Sequence, residues 1–301
     1  YGEMLANLAA APVLTLREMQ MAAGRMQRAI MTFPPGAACL LVSLFTLMAG
    51  LKLPWHKRRT NKQVRADFAW VRRLLQLNLG KGYYSLSGFS RAPELRTDAS
   101  KQQRYSGGGY VSKCGMYNFW KYGTRAARNL IDYLEGDTLV VACSEMCHSW
   151  HKQIVPTAID NRVVERSTAK GRSEAVRINI LIRELFACQV AHTFILEPYW
   201  IPSEENVESD HLSRGRESEF LQSVYHTGFG APDTIPIRHG NAGAVRTLPE
   251  HRGVISNATL NLPQRSVDSA HQLGVGYSSN SLRDGPPRMQ FASSVPYQRA
   301  S

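Results

Sequence analysis

The chain has 301 residues, 43% of them apolar and 20% charged, a globular composition with enough apolar material for a sizeable core. Lys and Arg number 36 against 24 Asp and Glu, and the resulting +12 favours a polyanionic partner, nucleic acid first and an anionic membrane surface second. Five cysteines (Cys39, Cys114, Cys143, Cys147, Cys188) show no framework spacing, which excludes a small disulfide-stapled secreted scaffold and suits a reducing, intracellular compartment, cytoplasm and nucleus both open.

In chain order, residues 1–90 read as a helical segment. Thr15-Leu16-Arg17-Glu18 opens a helix ending near Ile30, with Thr15 as cap and Glu18 three residues on. Pro34-Pro35-Gly36 breaks the chain, and an apolar run from Ala37 to Leu51 follows. At 15 residues it is shorter than the roughly 20 a bilayer crossing needs, so a buried helix is expected and no membrane partner. A basic stretch (Lys52, Lys57, Arg58, Arg59, Lys62, Arg65, Arg72, Arg73) runs into a helix whose apolar side carries Phe68, Val71, Leu74, Leu75 and Leu77. Its basic face suits either phosphate contacts or plain solvation.

Residues 91–220 change character. Strand-like segments fall at Pro93–Asp98, Gly107–Ser112 and Met116–Trp120, then a helical pattern from Arg125 to Trp150 and a strand at Gln153–Asp160. An apolar helix, Ala175–Cys188, precedes a strand at Thr193–Trp200 and a helical turn at Val207–Arg214. That order describes an α/β layer around a mixed sheet. Cys143, Cys147 and His148 could begin a metal site, but a second ligand pair is missing at nearby spacing, so buried free thiols are expected. Residues 221–301 read as a low-complexity, disordered tail: beyond 222 there is no Trp, Cys or Lys, and seven of the 15 prolines lie there.

Four acids fall where strands or helices could gather them. Asp98 ends the first strand, Glu135 sits on the following helix, Asp160 ends a later strand and Asp210 lies on the last helical turn, at separations of 37, 25 and 50 residues. Hard divalent cations take oxygen ligands, and three or four carboxylates together suit a pair of such ions. Each acid alone reads equally as a solvated charge or cap.

The motifs carrying these acids are Thr97-Asp98-Ala99-Ser100, Leu134-Glu135, Ile159-Asp160-Asn161 and Glu205-Asn206 through Ser209-Asp210-His211-Leu212-Ser213-Arg214, preceded by Ile201-Pro202. Together they resemble the ribonuclease H domain of retroelement polyproteins, and Lys170-Gly171-Arg172-Ser173 resembles a stretch of DIRS-like retrotransposons. Leu16–Met26 resembles the helix after a reverse transcriptase palm, where thumb and connection begin. The resemblance spans roughly residues 12 to 216.

It implies a ribonuclease H-like mixed five-stranded sheet flanked by helices. It further implies that Asp98, Glu135, Asp160 and Asp210 hold two Mg ions (Mn possible) and cut the RNA strand of an RNA/DNA hybrid. Asn161, Lys170 and Arg172 would be nucleic-acid contacts. No paired-aspartate polymerase motif is present, so a reverse transcriptase palm is expected upstream in a longer polyprotein, Tyr1 not being a start. Departures from the pattern are Gly136-Asp137 after Glu135, Pro156 in the strand delivering Asp160, Tyr199-Trp200 where relatives carry His, and Ser203 for Gly. A catalytically decayed nucleic-acid-binding module of the same fold is the competing expectation; a membrane anchor at Ala37–Leu51 is a third.

Overall fold

The computed structural model describes residues 2–33, 36–76, 88–102, 105–227, 237–238 and 244–246. All belong to one compact unit, Tyr1–Leu260.

The amino-terminal part is helical. α1 (Gly2–Ala10) leads to a short strand, β1 (Val13–Thr15), which pairs antiparallel with β2 (Lys57–Arg59). α2 (Leu16–Ile30) begins at Thr15, whose hydroxyl accepts the Glu18 N–H at 3.2 Å while the Glu18 carboxylate accepts the Thr15 N–H at 2.8 Å. Those reciprocal bonds satisfy otherwise orphaned donors of the first turn and hold the Glu18 carboxyl below its ordinary range. The apolar run forms a 3₁₀ turn (Ala37–Leu41) and α3 (Val42–Met48), burying Cys39, Leu40, Leu41, Leu44 and Leu47. Among the described residues no helix is long and apolar enough to cross a membrane. α4 (Lys62–Gln76) buries Val64, Phe68, Trp70, Val71 and Leu74 and leaves Lys62, Arg65 and Arg72 in water. Leu77 lies outside the described residues.

One α4 residue breaks this amphipathic division. Asp67, on the buried side, meets Arg183 from the α/β region at 2.8 Å. Arg183 also donates to the Cys39 carbonyl at 3.3 Å, and the Ser43 hydroxyl donates to Asp67. The helical segment is thus tied to the α/β region through a desolvated ion pair.

The α/β region is built on a mixed sheet. Its principal strands are β4 (Leu95–Lys101), β5 (Ser106–Ser112), β6 (Met116–Tyr122), β7 (Gln153–Ile159) and β8 (Ile195–Trp200), in the spatial order β6-β5-β4-β7-β8. β4, β5 and β6 form an antiparallel meander, and β7 and β8 add in parallel, as the crossover helices require. Three pieces of two or three residues extend it: β3 (Ser90–Arg91) beside β7, and β9 (Ile237–Arg238) and β10 (Ala244–Arg246) beside β6. α5 (Ile131–Met146), α6 (Arg162–Lys170), α7 (Val176–His192), α8 (Val207–Ser213) and α9 (Glu217–Thr227) complete the layers. The expected α/β arrangement of a mixed sheet flanked by helices is present.

The two apparent defects have local explanations. A Cβ on Gly136 would lie 2.8 Å from Leu181 Cδ1, so glycine there allows α5 and α7 to pack closely without breaking α5. Pro156 faces the gap between β3, which ends at Arg91, and β4, which begins at Leu95. Ile154, on the same side, accepts the Ala92 N–H at 2.8 Å, but opposite Pro156 no strand needs a donor.

The segment after Asp160, to which the sequence pattern assigns no element, is a helix, α6. Val176 is 70% exposed and does not belong to the apolar face of α7. Furthermore, α9 runs through residue 221 with Phe220 and Val224 packed on Val111 and Tyr117, and short strands follow at 237–238 and 244–246. The remainder of the expected tail lies outside the described residues.

Candidate active site

The site begins with three consecutive glycines on β5. Gly109 is the register partner of Asp98 on β4. A Cβ on Gly109 would sit 2.6 Å from Leu212 Cβ, and one on Gly107 would collide with the Ser213 carbonyl, so their bare backbone lets α8 lie directly on the sheet. On the opposite face a Cβ on Gly108 would come 2.6 Å from Thr138 Oγ1 of α5. Helices therefore approach this strand closely from both sides, bringing α5 and α8 up to Asp98. Asn206, fully buried, donates from Nδ2 to the Thr97 carbonyl at 3.0 Å and fixes the start of α8 to β4.

Asp98, Glu135 and Asp160 converge. Each offers a carboxylate oxygen, and these oxygens lie within 4.8 Å of one another. Asp98 and Glu135 are each 5% exposed. Burial and the neighbouring Asp160 and Asp210 charges push the Asp98 carboxyl up to about 7, although a hydrogen bond from Ser213 pulls the other way. Burial, reinforced by Asp98 and Asp160, pushes Glu135 well above its ordinary range, against a hydrogen bond from the Ala99 N–H. Asp160 is raised as well, by burial first.

Asp160 is held from its own side. The Ser203 hydroxyl donates to its Oδ2 at 3.0 Å, and Trp200 Nε1 donates to its carbonyl at 2.9 Å. Trp200 and Ser203, which fall at two of the departures from the expected pattern, are thus direct supports of a site acid. The Arg162 guanidinium stacks over the Trp200 ring at 3.8 Å. Two oxygens stand out: Glu135 Oε2 and Asp160 Oδ1 are buried with no hydrogen-bond partner. Buried carboxylate oxygens without a donor, in a cluster of acids, are strongly unfavourable unless they are protonated or share a cation. The donor set therefore fits a hard divalent ion.

Asp210 stands beside this trio, close enough to raise Asp98 and Asp160, but its Oδ1 is taken by Arg214 at 2.6 Å. The other nominated residues are placed differently. Asn161 caps α6: its Oδ1 accepts the Val163 and Val164 N–H groups at 2.9 and 3.2 Å, and its Nδ2 donates to Asp132 at 2.9 Å. Lys170 and Arg172 are exposed at the far end of α6. Nine helical residues put them roughly 13 Å along the axis from Asp160. Ser213 and Arg214 lie inside a quoted motif without being singled out as site residues, and Trp200 and Ser203 stand out in sequence only as departures from the pattern.

No protein-family profile matches this chain, and no curated protein matches it in sequence. Among solved structures it is similar to RNase H1 from the halophilic archaeon Halobacterium salinarum, at 15% identity and a TM-score of 0.33, covering 42% of this chain and 98% of that one. It is also similar to the N-terminal RNase H domain of a Mycobacterium tuberculosis protein, at 15% identity and a TM-score of 0.30, over 44% and 99% of the two chains. A third similarity, at 13% identity and a TM-score of 0.24, is to the prototype foamy virus protease-reverse transcriptase, covering 60% of this chain and 24% of that one.

Proposed function

We propose that this protein is a divalent-metal-dependent ribonuclease of the RNase H type that hydrolyses the RNA strand of RNA/DNA hybrids, as part of a retroelement polyprotein carrying its reverse transcriptase palm upstream. One observation carries the reading: Asp98, Glu135 and Asp160, the acids of three ribonuclease H-like motifs, converge with the first two buried and the third half-buried, and Glu135 Oε2 and Asp160 Oδ1 lack a hydrogen-bond partner.

Asp98, Glu135 and Asp160 would hold Mg, with Asp210 joining once released from Arg214. Bound divalent ions supply an activated water and charge stabilisation at the scissile phosphate. The protein's own part is positioning and charge. Burial and mutual proximity raise all three carboxyls above their ordinary range, so a cation that shares their oxygens relieves the cost of holding them together. Ser203 and Trp200 keep Asp160 aimed at the trio, and Ala99 does the same for Glu135. Asn161 acts by capping α6, which orients the turn that follows Asp160. Lys170, Arg172 and the overall positive charge would grip phosphates of the duplex, in recognition governed by backbone and shape.

A second reading, a decayed module that binds hybrid without cutting it, is favoured by the Asp210–Arg214 pair, which takes the fourth acid away from the trio. Hybrid cleavage separates the two. The wild type is expected to cut the RNA strand with magnesium and stop with EDTA. Asp160→Asn should lose cleavage while binding hybrid as well as the wild type, because the substitution keeps shape and removes a charge the metal needs. Cleavage in EDTA, or full activity in Asp160→Asn, would refute the assignment, and a wild type inactive in magnesium would support the decayed module.

A further inference from the structure

A second group of ligand-type side chains gathers at the opposite ends of α5 and α7. Cys147, in the 3₁₀ turn Cys147–Ser149 that follows α5, His148 beside it, and His192, the last residue of α7, place their ligand atoms within 4.8 Å of one another. The two imidazole rings meet edge to face with centroids 4.6 Å apart. Cys188, one turn before His192 on α7, hydrogen-bonds the Cys147 sulfur, and its thiol also lies 3.6 Å from the Cys143 carbonyl. In sequence the second pair is hidden about 40 residues downstream, which is why Cys147-His148 reads there as an incomplete site.

We propose that Cys147, His148, Cys188 and His192 form a tetrahedral zinc site that staples the end of α5 to the end of α7. Two thiolates and two imidazoles are a donor set typical of structural zinc. Bond lengths of about 2.3 Å to sulfur and 2.0–2.1 Å to nitrogen place tetrahedral donors about 3.3–3.8 Å apart. Cys147, His148 and His192 already lie within 4.8 Å of one another, and Cys188, hydrogen-bonded to Cys147, must turn toward the imidazoles to complete the set. Cys147 is 3% exposed while His148 is exposed, giving a buried anchor and an open side for ion entry.

The backbone around the cluster points the same way. Lys152 and Thr193, the positive-φ non-glycine residues among those described, at 54° and 57°, flank it and bond directly, Lys152 N–H to the Thr193 carbonyl at 2.7 Å. A β-branched residue in the left-handed region is strained and persists only where surrounding structure enforces it. A metal cross-link at His192, adjacent to Thr193, supplies that enforcement. It would also fix the starts of β7 and β8, the strands leading to Asp160 and Trp200, although the proposal does not depend on the carboxylate site being active.

The test uses the full chain purified with a phosphine reductant and without chelator. One zinc per chain is expected by elemental analysis. After zinc removal, Co(II) should restore a thiolate-to-cobalt charge-transfer absorption, a signature the carboxylate trio cannot produce. The double variant His148→Ala/His192→Ala, which leaves both thiols untouched, should weaken zinc binding by more than the roughly 10–100-fold typical of losing an outer partner. Asp98→Asn/Asp160→Asn should bind as the wild type does. No charge-transfer band in the wild type, an unchanged band and affinity in the His variant, or a Cys147–Cys188 disulfide in place of bound metal would each overturn the site.

Discussion

Two places in this molecule treat buried carboxylate charge in opposite ways. Asp67 is 1% exposed and faces a built-in cation, Arg183, with Ser43 and Gln63 completing its bonds. Asp98, Glu135 and Asp160 gather within 4.8 Å of one another; the nearby Arg214 is paired with Asp210 and only weakly offsets the rise of Asp98, and two of the trio's oxygens have no hydrogen-bond partner. Burial raises the Asp67 carboxyl to about 7 although Arg183 opposes the shift, and it raises Asp98 to about 7 with neighbouring acids adding to it. The first arrangement is self-sufficient and structural. The second is complete only when a cation or protons come from solution.

The largest expected effect is at the self-sufficient pair. Arg183→Ala removes the cation and leaves Asp67 desolvated, so unfolding free energy should fall by about 3–5 kcal/mol, read from urea denaturation. Arg183→Met combined with Asp67→Leu, which removes both charges, should recover most of that loss. If the single variant costs no more than the double, the pair does not join the helical segment to the α/β region.

The trio should respond with the opposite sign. In chelator, Asp98→Asn relieves like-charge repulsion and is expected to raise stability at pH 8. The folded protein holds its Asp98 proton up to about pH 7 while an unfolded chain releases it near 3.8. Metal-free stability should therefore fall as pH rises between those values, and the variant should flatten that fall. A pH profile of thermal denaturation checks both points, and a wild type that gains stability across this window contradicts them.

A smaller effect is expected at Asn161. Removing its cap in Asn161→Ala should cost about 1 kcal/mol by denaturant titration, with hybrid affinity little changed. A large affinity loss at unchanged stability would make it a direct nucleic-acid contact instead.

Much of this was legible in the chain. The Thr15–Glu18 cap, the meander, the apolar α7 and the convergence of Asp98, Glu135 and Asp160 follow from local pattern and from motifs whose spacing a resemblance could carry. What escaped depends on distant partners. Asp67 and Arg183 lie 116 residues apart and look like ordinary surface charges until α4 docks on α7. Gly107-Gly108-Gly109 opens a strand-like segment, but its role, to bare β5 for α5 and α8, depends on helices far off in sequence. α6 has Val163 and Val164 adjacent in its first turn and charges at Arg162, Glu165, Arg166 and Lys170, so its helical period is weak, and Asn161 as its cap was the signal available. β3, β9 and β10 are too short for any alternation to register.

The central claim is that the trio's missing partner is a divalent cation, and magnesium titration of thermal stability at pH 8 tests it most directly. The wild type should gain stability with magnesium, following RT ln(1 + [L]/Kd), while Glu135→Gln, which removes one of the unpartnered oxygens' charges, should start more stable in chelator and gain far less. Equal gains in the two proteins, or none in either, would contradict the account.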